Sequence, residues 1–377
     1  MKIAIIRQKF VLYGGAEQFV QGYIHQLAEA GHDIHIFANQ WNPSSHPNIH
    51  LHHVRSFKFN AFIRTLSFAW FSARAVEKES FDVIQSHEKP WKQDIYRVGD
   101  GCPKEWLEQR KRFLPALKGF FLSFNPFHRL ILKLEKDIFE SGQCRRFIAI
   151  SQMVKNDILK HYHCPQENIS VVYNGGDLKR FHPENKNRQS IRKELGIAEN
   201  AVLILFVGSG FERKGLKYLL EATQYLRSED WRLVIMGKGK WEKYLQFAPE
   251  NLRSRIIHKE PVPEIEKYYS AADIFALPSI YEPFGNANLE ALAAGLPVIT
   301  TRHCGAADII QHKLNGLIVE NPESPKEIAD NINILFDPVL RQSMSQNART
   351  LAENFSPEKN TREMLKTYLE IIPAQNK

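Results

Sequence analysis

Short apolar runs of β character alternate with amphipathic helical stretches along almost the whole chain. That alternation restricts the fold more than any other feature, because strands separated by helices read as parallel βαβ units. Lys2–Ile6 is the first such strand, and the loop behind it closes on Gly14-Gly15. Ala16, Phe19, Val20, Tyr23, Ile24 and Leu27 then recur at the spacing of one helical face, and Gly31 ends the helix ahead of a strand over Asp33–Phe37. Ile49–Val54, Asp82–Ser86, Asp94–Gly99, Arg146–Ser151 and Ile169–Tyr173 follow as strands, with a helix over Ala61–Glu77.

Asn174-Gly175-Gly176 and the polar stretch Pro183–Ser190 interrupt the pattern as a linker would. A second series then runs through Val202–Val207, a helix over Lys214–Leu226, and Arg232–Met236. Arg255–His258, Ile274–Leu277, Pro297–Thr300 and Gly316–Val319 complete it. A chain of 377 residues is too long for one ordinary core. Two α/β domains are therefore expected, residues 1–176 and 177–356, with substrate at the carboxyl ends of the strands in the cleft between them.

Composition narrows the function classes. With 43% hydrophobic and 24% charged residues the chain is neither disordered nor collagenous. Cys102, Cys144, Cys164 and Cys304 have no Cys-x-x-Cys spacing, so reduced thiols are expected rather than a zinc site or a disulfide framework. The apolar run at the N-terminus stops at Arg7, too early for a signal-peptide core, and no stretch is long enough to span a bilayer. A cytoplasmic protein is expected. A formal charge of +8 implies an anionic partner. Nucleic acid, an anionic membrane face and a diphosphate all qualify, and a lysine-rich solvated surface explains the number equally well.

Chemistry concentrates in two segments. Glu282-Pro283-Phe284-Gly285-Asn286-Ala287-Asn288-Leu289-Glu290 sets two carboxylates eight residues apart at a strand–loop–helix junction. Gly285 permits close approach of backbone to a ligand, and a helix starting near Asn286 offers unpaired N–H groups to an anion. Glu282 is placed to meet a sugar ring and Glu290 a ribose diol; a loop residue and a solvated helix face are the plainer alternatives. The other segment, Val207-Gly208-Ser209-Gly210-Phe211-Glu212-Arg213-Lys214-Gly215, follows the first strand of the second series. Its glycines allow close approach, and Arg213 and Lys214 fall at a helix start, where cations oppose the helix dipole unless an anion is expected.

Taken together these segments resemble the retaining glycosyltransferases of family 4, whose fold is termed GT-B. The resemblance rests on Glu282-x7-Glu290, Arg213-Lys214-Gly215 and the Gly14-Gly15 loop. It also rests on Ile148-Ala149-Ile150-Ser151, Asn174-Gly175-Gly176-Asp177 and Ala293-Ala294-Gly295-Leu296-Pro297-Val298, all in family order. It implies two Rossmann-like domains facing across a cleft, with a C-terminal helix in residues 357–377 crossing back onto the first. It further implies that Glu282 contacts donor-sugar hydroxyls, Glu290 binds the ribose, and Arg213 and Lys214 neutralise the diphosphate. Backbone N–H groups of Gly14 and Gly15 would approach the β-phosphate or sugar. Those of Phe284, Gly285 and Asn286 would meet the donor, beside the close approach at Gly208. Reaction with retention and without a metal or cofactor is implied. His87 matches a family histidine near the reacting centre, and Asp100 is placed to orient or deprotonate an acceptor hydroxyl; a structural histidine and a turn aspartate are the alternatives.

Asp94–Lys104, Phe211–Gly215 and Thr300-Thr301-Arg302-His303-Cys304-Gly305 resemble the branch that glucosylates the lipopolysaccharide core. Glu282-Pro283-Phe284-Gly285 and His87 depart from that branch. A UDP-sugar donor, glucose as the hexose, and a cell-surface glycan or glycolipid acceptor are the expectations. A UDP-sugar epimerase on the same plan is the enzyme alternative. A nucleic-acid binder has only the charge in its favour, without a helix-turn-helix, zinc or RNP-like pattern. Residues 104–140 carry Arg110-Lys111-Arg112 ahead of Leu117, Phe120, Phe121 and Phe124, then Phe127, Leu130, Ile131 and Leu134. That composition suits either a contact with anionic lipid at the inner face of the cytoplasmic membrane or a helix docked on its own sheet.

Overall fold

Apolar runs of four to six residues can all be buried as strands if helices cover both faces of the sheet, and that arrangement is found in each half of the chain. A computed structural model describes residues 1–9, 15–41, 46–122, 124–184 and 186–372, with 15–19 and 116 described through their backbone. Contacts divide the chain into two units, Met1–Tyr173 with the segment from Pro357 on, and Asn174–Ser356. The division precedes Asn174 rather than following Gly176 because both residues bond into the second unit. Asn174 Nδ2 donates to Asn286 Oδ1 at 2.6 Å, and the Gly176 N–H donates to the Phe355 carbonyl at 2.9 Å.

The first unit begins with β1 (Lys2–Ile6), α1 (Gly15–Glu29), β2 (Asp33–Ala38), β3 (Ile49–His53), α2 (Ala61–Val76), β4 (Val83–Ser86) and β5 (Ile95–Val98). It continues through α3 (Pro103–Phe113), α4 (Ala116–Leu122), α5 (Pro126–Glu140), β6 (Arg146–Ala149), α6 (Gln152–His161) and β7 (Ile169–Val171). The seven strands pair in parallel in the order β3-β2-β1-β4-β5-β6-β7. Proline punctuates the three helices after β5: Pro115 precedes α4, and Pro126 opens α5 with Asn125 Oδ1 capping the Phe127 N–H at 2.9 Å.

The second unit runs α7 (Arg188–Glu194), β8 (Val202–Val207), α8 (Leu216–Ala222), β9 (Trp231–Met236), α9 (Glu242–Leu245), β10 (Ile256–Lys259) and α10 (Glu266–Ala271). Then come β11 (Ile274–Leu277), α11 (Asn286–Ala293), β12 (Val298–Thr301), β13 (Gly316–Val319), α12 (Pro325–Ile334) and α13 (Pro338–Ala352). Its six strands are parallel in the order β10-β9-β8-β11-β12-β13. In both sheets the strand order reverses once, at β1/β4 and at β8/β11, and ligands of such sheets bind outside the carboxyl ends of the strands at that switch point. Asp273 fixes the amino end of β11 beside β8, accepting from Arg188 NH2 at 2.8 Å and from the Leu203 N–H at 2.7 Å.

The last helix, α14 (Pro357–Ile371), belongs to the first unit. Side chains of β1 alternate between two layers, as the period of a strand requires. Ile3 and Ile5 pack with Val20, Tyr23, Ile24 and Leu27 of α1 and with Met364, Tyr368 and Ile371 of α14, while Ala4 and Ile6 pack with Phe68 and Val76 of α2. Among the described residues no helix is long and apolar enough to cross a membrane. Met364 is fully buried, so Met364→Ala leaves a cavity between α14 and α1. The expected loss in chemical denaturation is about 2–5 kcal/mol of unfolding free energy.

Candidate functional site

Loops at the β8/β11 switch point bring the two chemistry-bearing segments together. Glu282 follows β11 and is tied down by its backbone: its N–H donates to the His303 carbonyl at 2.8 Å, and its carbonyl accepts from Gly305 N–H at 2.8 Å. Its carboxylate meets Lys214 Nζ at 2.6 Å and Arg213 NH1 at 3.0 Å, both on Oε2. Glu282 is only 8% exposed. Burial alone would raise its pKa, but Lys214 and Arg213 outweigh that cost and hold the carboxyl at about 2.

The glycines of the turn make this contact possible. A Cβ on Gly208 would overlap the Lys214 side chain, which crosses directly over it. Gly215 sits at φ +70°, and a Cβ there would collide with the Pro278 carbonyl, so the turn lies against the end of β11. This corrects one expectation: Arg213 and Lys214 precede the helix rather than opening it, because left-handed Gly215 delays α8 to Leu216. α8 also ends at Ala222, with a 3-10 turn over Thr223–Tyr225 in place of the last expected turn. The anion that the two cations face is Glu282 itself.

Gly285 precedes α11 and carries the Phe284–Asn286 backbone past the site; a Cβ there would come within 2.7 Å of Asn288 Nδ2. Phe284 is buried, with its carbonyl accepting from Ala306 N–H at 2.9 Å, so this loop is held from both sides. Glu290, one turn into α11, is half-buried and accepts from Tyr269 Oη at 2.8 Å. Burial raises its pKa, opposed by the Tyr269 hydrogen bond and by Arg180. Tyr269 lay in an amphipathic stretch with no motif around it, so nothing in the sequence pointed to it.

In the first unit, His87 follows β4 and is 3% exposed. Gln85 Nε2 donates to His87 Nε2 at 2.9 Å, while Gln85 Oε1 accepts from Tyr368 Oη at 2.7 Å. The amide orientation therefore makes His87 Nε2 an acceptor and leaves Nδ1 as the N–H of a neutral ring. Burial first, then Arg97 and Arg7, lowers the His87 pKa well below its ordinary value. Asp100 is exposed in the turn after β5, close enough to act electrostatically on Lys89 and Arg97. Gly15 opens α1, and Gly14 lies outside the described residues. Of the expected site residues, Gly208, Arg213, Lys214, Glu282, Phe284, Gly285, Asn286 and Glu290 belong to the second unit; Gly15, His87 and Asp100 belong to the first. Gln85 and Tyr368 were not foreseen, since 283 positions separate them.

Residues 13–180 match the family described as Glycosyltransferase Family 4, and residues 187–351 match Glycosyl transferases group 1. D-inositol 3-phosphate glycosyltransferase of Corynebacterium jeikeium is 33% identical over 317 residues, 79% of this chain and 74% of that protein. The lipopolysaccharide glucosyltransferase WaaG of Escherichia coli is 26% identical, over 94% of each chain. A crystal structure of WaaG aligns with a TM-score of 0.84 at 24% identity, covering 99% of this chain and 100% of that one. Anabaena HepE in complex with UDP-glucose aligns with a TM-score of 0.75 at 16% identity, covering 98% of this chain and 100% of that one.

The ion triad has a pH signature. Because the folded Glu282 pKa is depressed, its contribution to stability is complete above the ordinary glutamate value of 4.5 and is lost as pH falls toward about 2. Thermal unfolding from pH 7 down to pH 3 should therefore cost the wild type more than Glu282→Gln, and equal losses would show that the pair is not formed in solution.

Proposed function

The chain belongs to the family 4 glycosyltransferases of GT-B fold, and on that premise we propose that it moves glucose from a UDP-sugar to the lipopolysaccharide core or a related cell-surface glycan, with retention of configuration. The observation that carries the donor half of this reading is the Lys214–Arg213–Glu282 triad at the β8/β11 switch point. Two cations face one carboxylate, so the group keeps a surplus positive charge beside a turn that backbone can approach closely. A diphosphate leaving group gains charge as the C1–O bond breaks, and fixed cations stabilise that charge without reorganisation. Arg213 and Lys214 take this role in the proposal, which is why no metal is invoked. Glu282 is the partner of the sugar hydroxyls, and Glu290, held by Tyr269, that of the ribose. The acceptor hydroxyl attacks C1 from the face the diphosphate leaves; the C1–O bond to the diphosphate breaks as the new one forms, and the hydroxyl proton passes to the departing phosphate oxygen. His87 Nδ1–H is available to a sugar hydroxyl, and Asp100 is the residue proposed to orient the acceptor.

The glucose and lipopolysaccharide assignments draw on the likeness to WaaG, a lipopolysaccharide glucosyltransferase, and the UDP assignment also on HepE, which binds UDP-glucose. Calorimetry against UDP, UDP-glucose, UDP-galactose, UDP-N-acetylglucosamine and a GDP-sugar tests the donor. Micromolar binding of UDP-glucose is expected, and Arg213→Ala/Lys214→Ala should abolish it and reduce kcat/KM by about 10²–10³-fold or more. Absence of binding to every nucleotide sugar would overturn the reading.

A glycolipid acceptor calls for a membrane contact, and the segment after β5 supplies one in this proposal. Leu117, Phe120, Phe121 and Phe124 of α4 and its end are exposed, next to exposed Lys111, Arg112 and Lys118. Apolar rings among basic side chains suit an anionic leaflet, which supports a reading in which the protein works at the inner face of the cytoplasmic membrane. Near such a surface each basic residue contributes about 1 kcal/mol. Neutralising Arg110, Lys111, Arg112 and Lys118 together should weaken vesicle binding by about 10²–10³-fold at low salt. Unchanged sedimentation with anionic vesicles would remove the membrane contact and leave the donor chemistry standing.

A further inference from the structure

At one edge of the first sheet, the edge strand β3 and its neighbour β2 gather three imidazoles and a carboxylate on one face. The register pairs His35 with His50 and Phe37 with His52, so Asp33, His35, His50 and His52 all project to the same side. Asp33 stands between two rings: its Oδ1 is 2.9 Å from His50 Nε2, and its Oδ2 is 3.3 Å from His35 Nε2. On the far side of the His35 ring, Nδ1 lies 2.7 Å from His52 Nε2. Phe37 stacks on His52 at 4.5 Å and Phe81 meets His35 edge-on at 5.2 Å, which holds both rings in place.

Three groups of potential ligands can be compared among the described residues: Asp33–His35–His50, His35–His52–Glu79 and Glu105–Glu108–His161. The last two already contain a cation. Lys2 Nζ sits 2.8 Å from Glu79 Oε2, and Lys160 Nζ sits 2.6 Å from Glu105 Oε2. Only in the first does the carboxylate face imidazoles alone among the described residues. We propose that Asp33, His35 Nε2 and His50 Nε2 bind a divalent transition-metal ion of the zinc class, with His52 as the residue that positions His35.

The donor set suits that class: two imidazoles and one carboxylate favour Zn²⁺ or Ni²⁺ over Mg²⁺ or Ca²⁺, which take oxygen ligands. Zinc bonds of about 2.0–2.1 Å put tetrahedral ligand atoms about 3.3 Å apart. The three ligand atoms lie within 4.8 Å of one another, so small rotations of Asp33 and His50 close the set. Both are about half exposed, which admits the ion and leaves a position for water, whereas His35 is buried and rigid. When Nε2 of His35 binds the ion, its Nδ1–H donates to His52 Nε2, the outer-shell hydrogen bond that metal-bound histidines make. The ion joins the edge strand β3 to β2 and stabilises the sheet there; it takes no part in sugar transfer.

The test uses the tag-free full-length chain. Because it holds 15 histidines, the readout is the difference between variants rather than total binding. Chelator competition with Zn²⁺, visible absorption with Co²⁺, and Tm against Zn²⁺ concentration are measured for wild type, His50→Gln and Asp33→Asn. Wild type should bind one ion more than either variant, show four-coordinate Co²⁺ absorption, and gain a Tm increase that both variants lack. His52→Gln should retain the ion with about 10–100-fold weaker affinity. Circular dichroism establishes that each variant is folded, and the two substitutions on different strands back each other should one not fold. Equal stoichiometry and equal Tm response in wild type and a folded variant would overturn the site.

Discussion

A carboxylate can be buried in an ionised state only when cations come with it, and the second unit is arranged around that requirement at Glu282. Its oxygen takes both Lys214, 68 positions earlier in the chain, and the adjacent Arg213. That pairing dictates much else. Lys214 must lie across Gly208, where no side chain fits, and the chain must turn left-handed at Gly215 to rest against the end of β11. The loop after β11 is in turn pinned to the segment after β12 by the backbone bonds of Glu282 and Phe284 with His303, Gly305 and Ala306. Removing both cations would leave the carboxylate buried without a partner, a far larger loss than the modest net gain an intact buried pair brings.

The first unit depends on a gentler device. His87 is kept neutral by burial and by two arginines, and its tautomer is set through Gln85 by a tyrosine from the last helix of the chain. Tyr368 also bonds to Tyr23 of α1, so the packing of α14 and the orientation of His87 are one structural matter. A helix whose apolar residues complete the core thus also governs which ring nitrogen carries the proton.

Legibility followed range. Strands β1, β8, β11 and β13 were read to their end residues, since compact runs of three to six apolar residues leave little freedom. Helix limits were less legible at α8, where a glycine conformation decided by a tertiary contact overrode the local pattern. The Glu282/Glu290 spacing and the Arg213-Lys214 pair announced themselves within short windows. Tyr269, Gln85 and Tyr368 did not, because single polar residues inside apolar stretches carry no local signal until the fold supplies their partners. The aromatic segment of α4 was readable as amphipathic, but either of two environments fitted; the structure leaves its phenylalanines exposed.

Two parallel α/β sheets were legible in the sequence alone, as were the Arg213-Lys214 and Glu282–Glu290 segments on the loops after β8 and β11. Periodicity and glycine placement are local properties, and burial of alternating apolar runs permits few arrangements. Tertiary structure decided that the basic pair faces Glu282, that Glu290 is held by Tyr269, and that His87 presents Nδ1–H. Those outcomes depend on distances between residues far apart in the chain, and on the balance between desolvation and charge pairing that only burial sets.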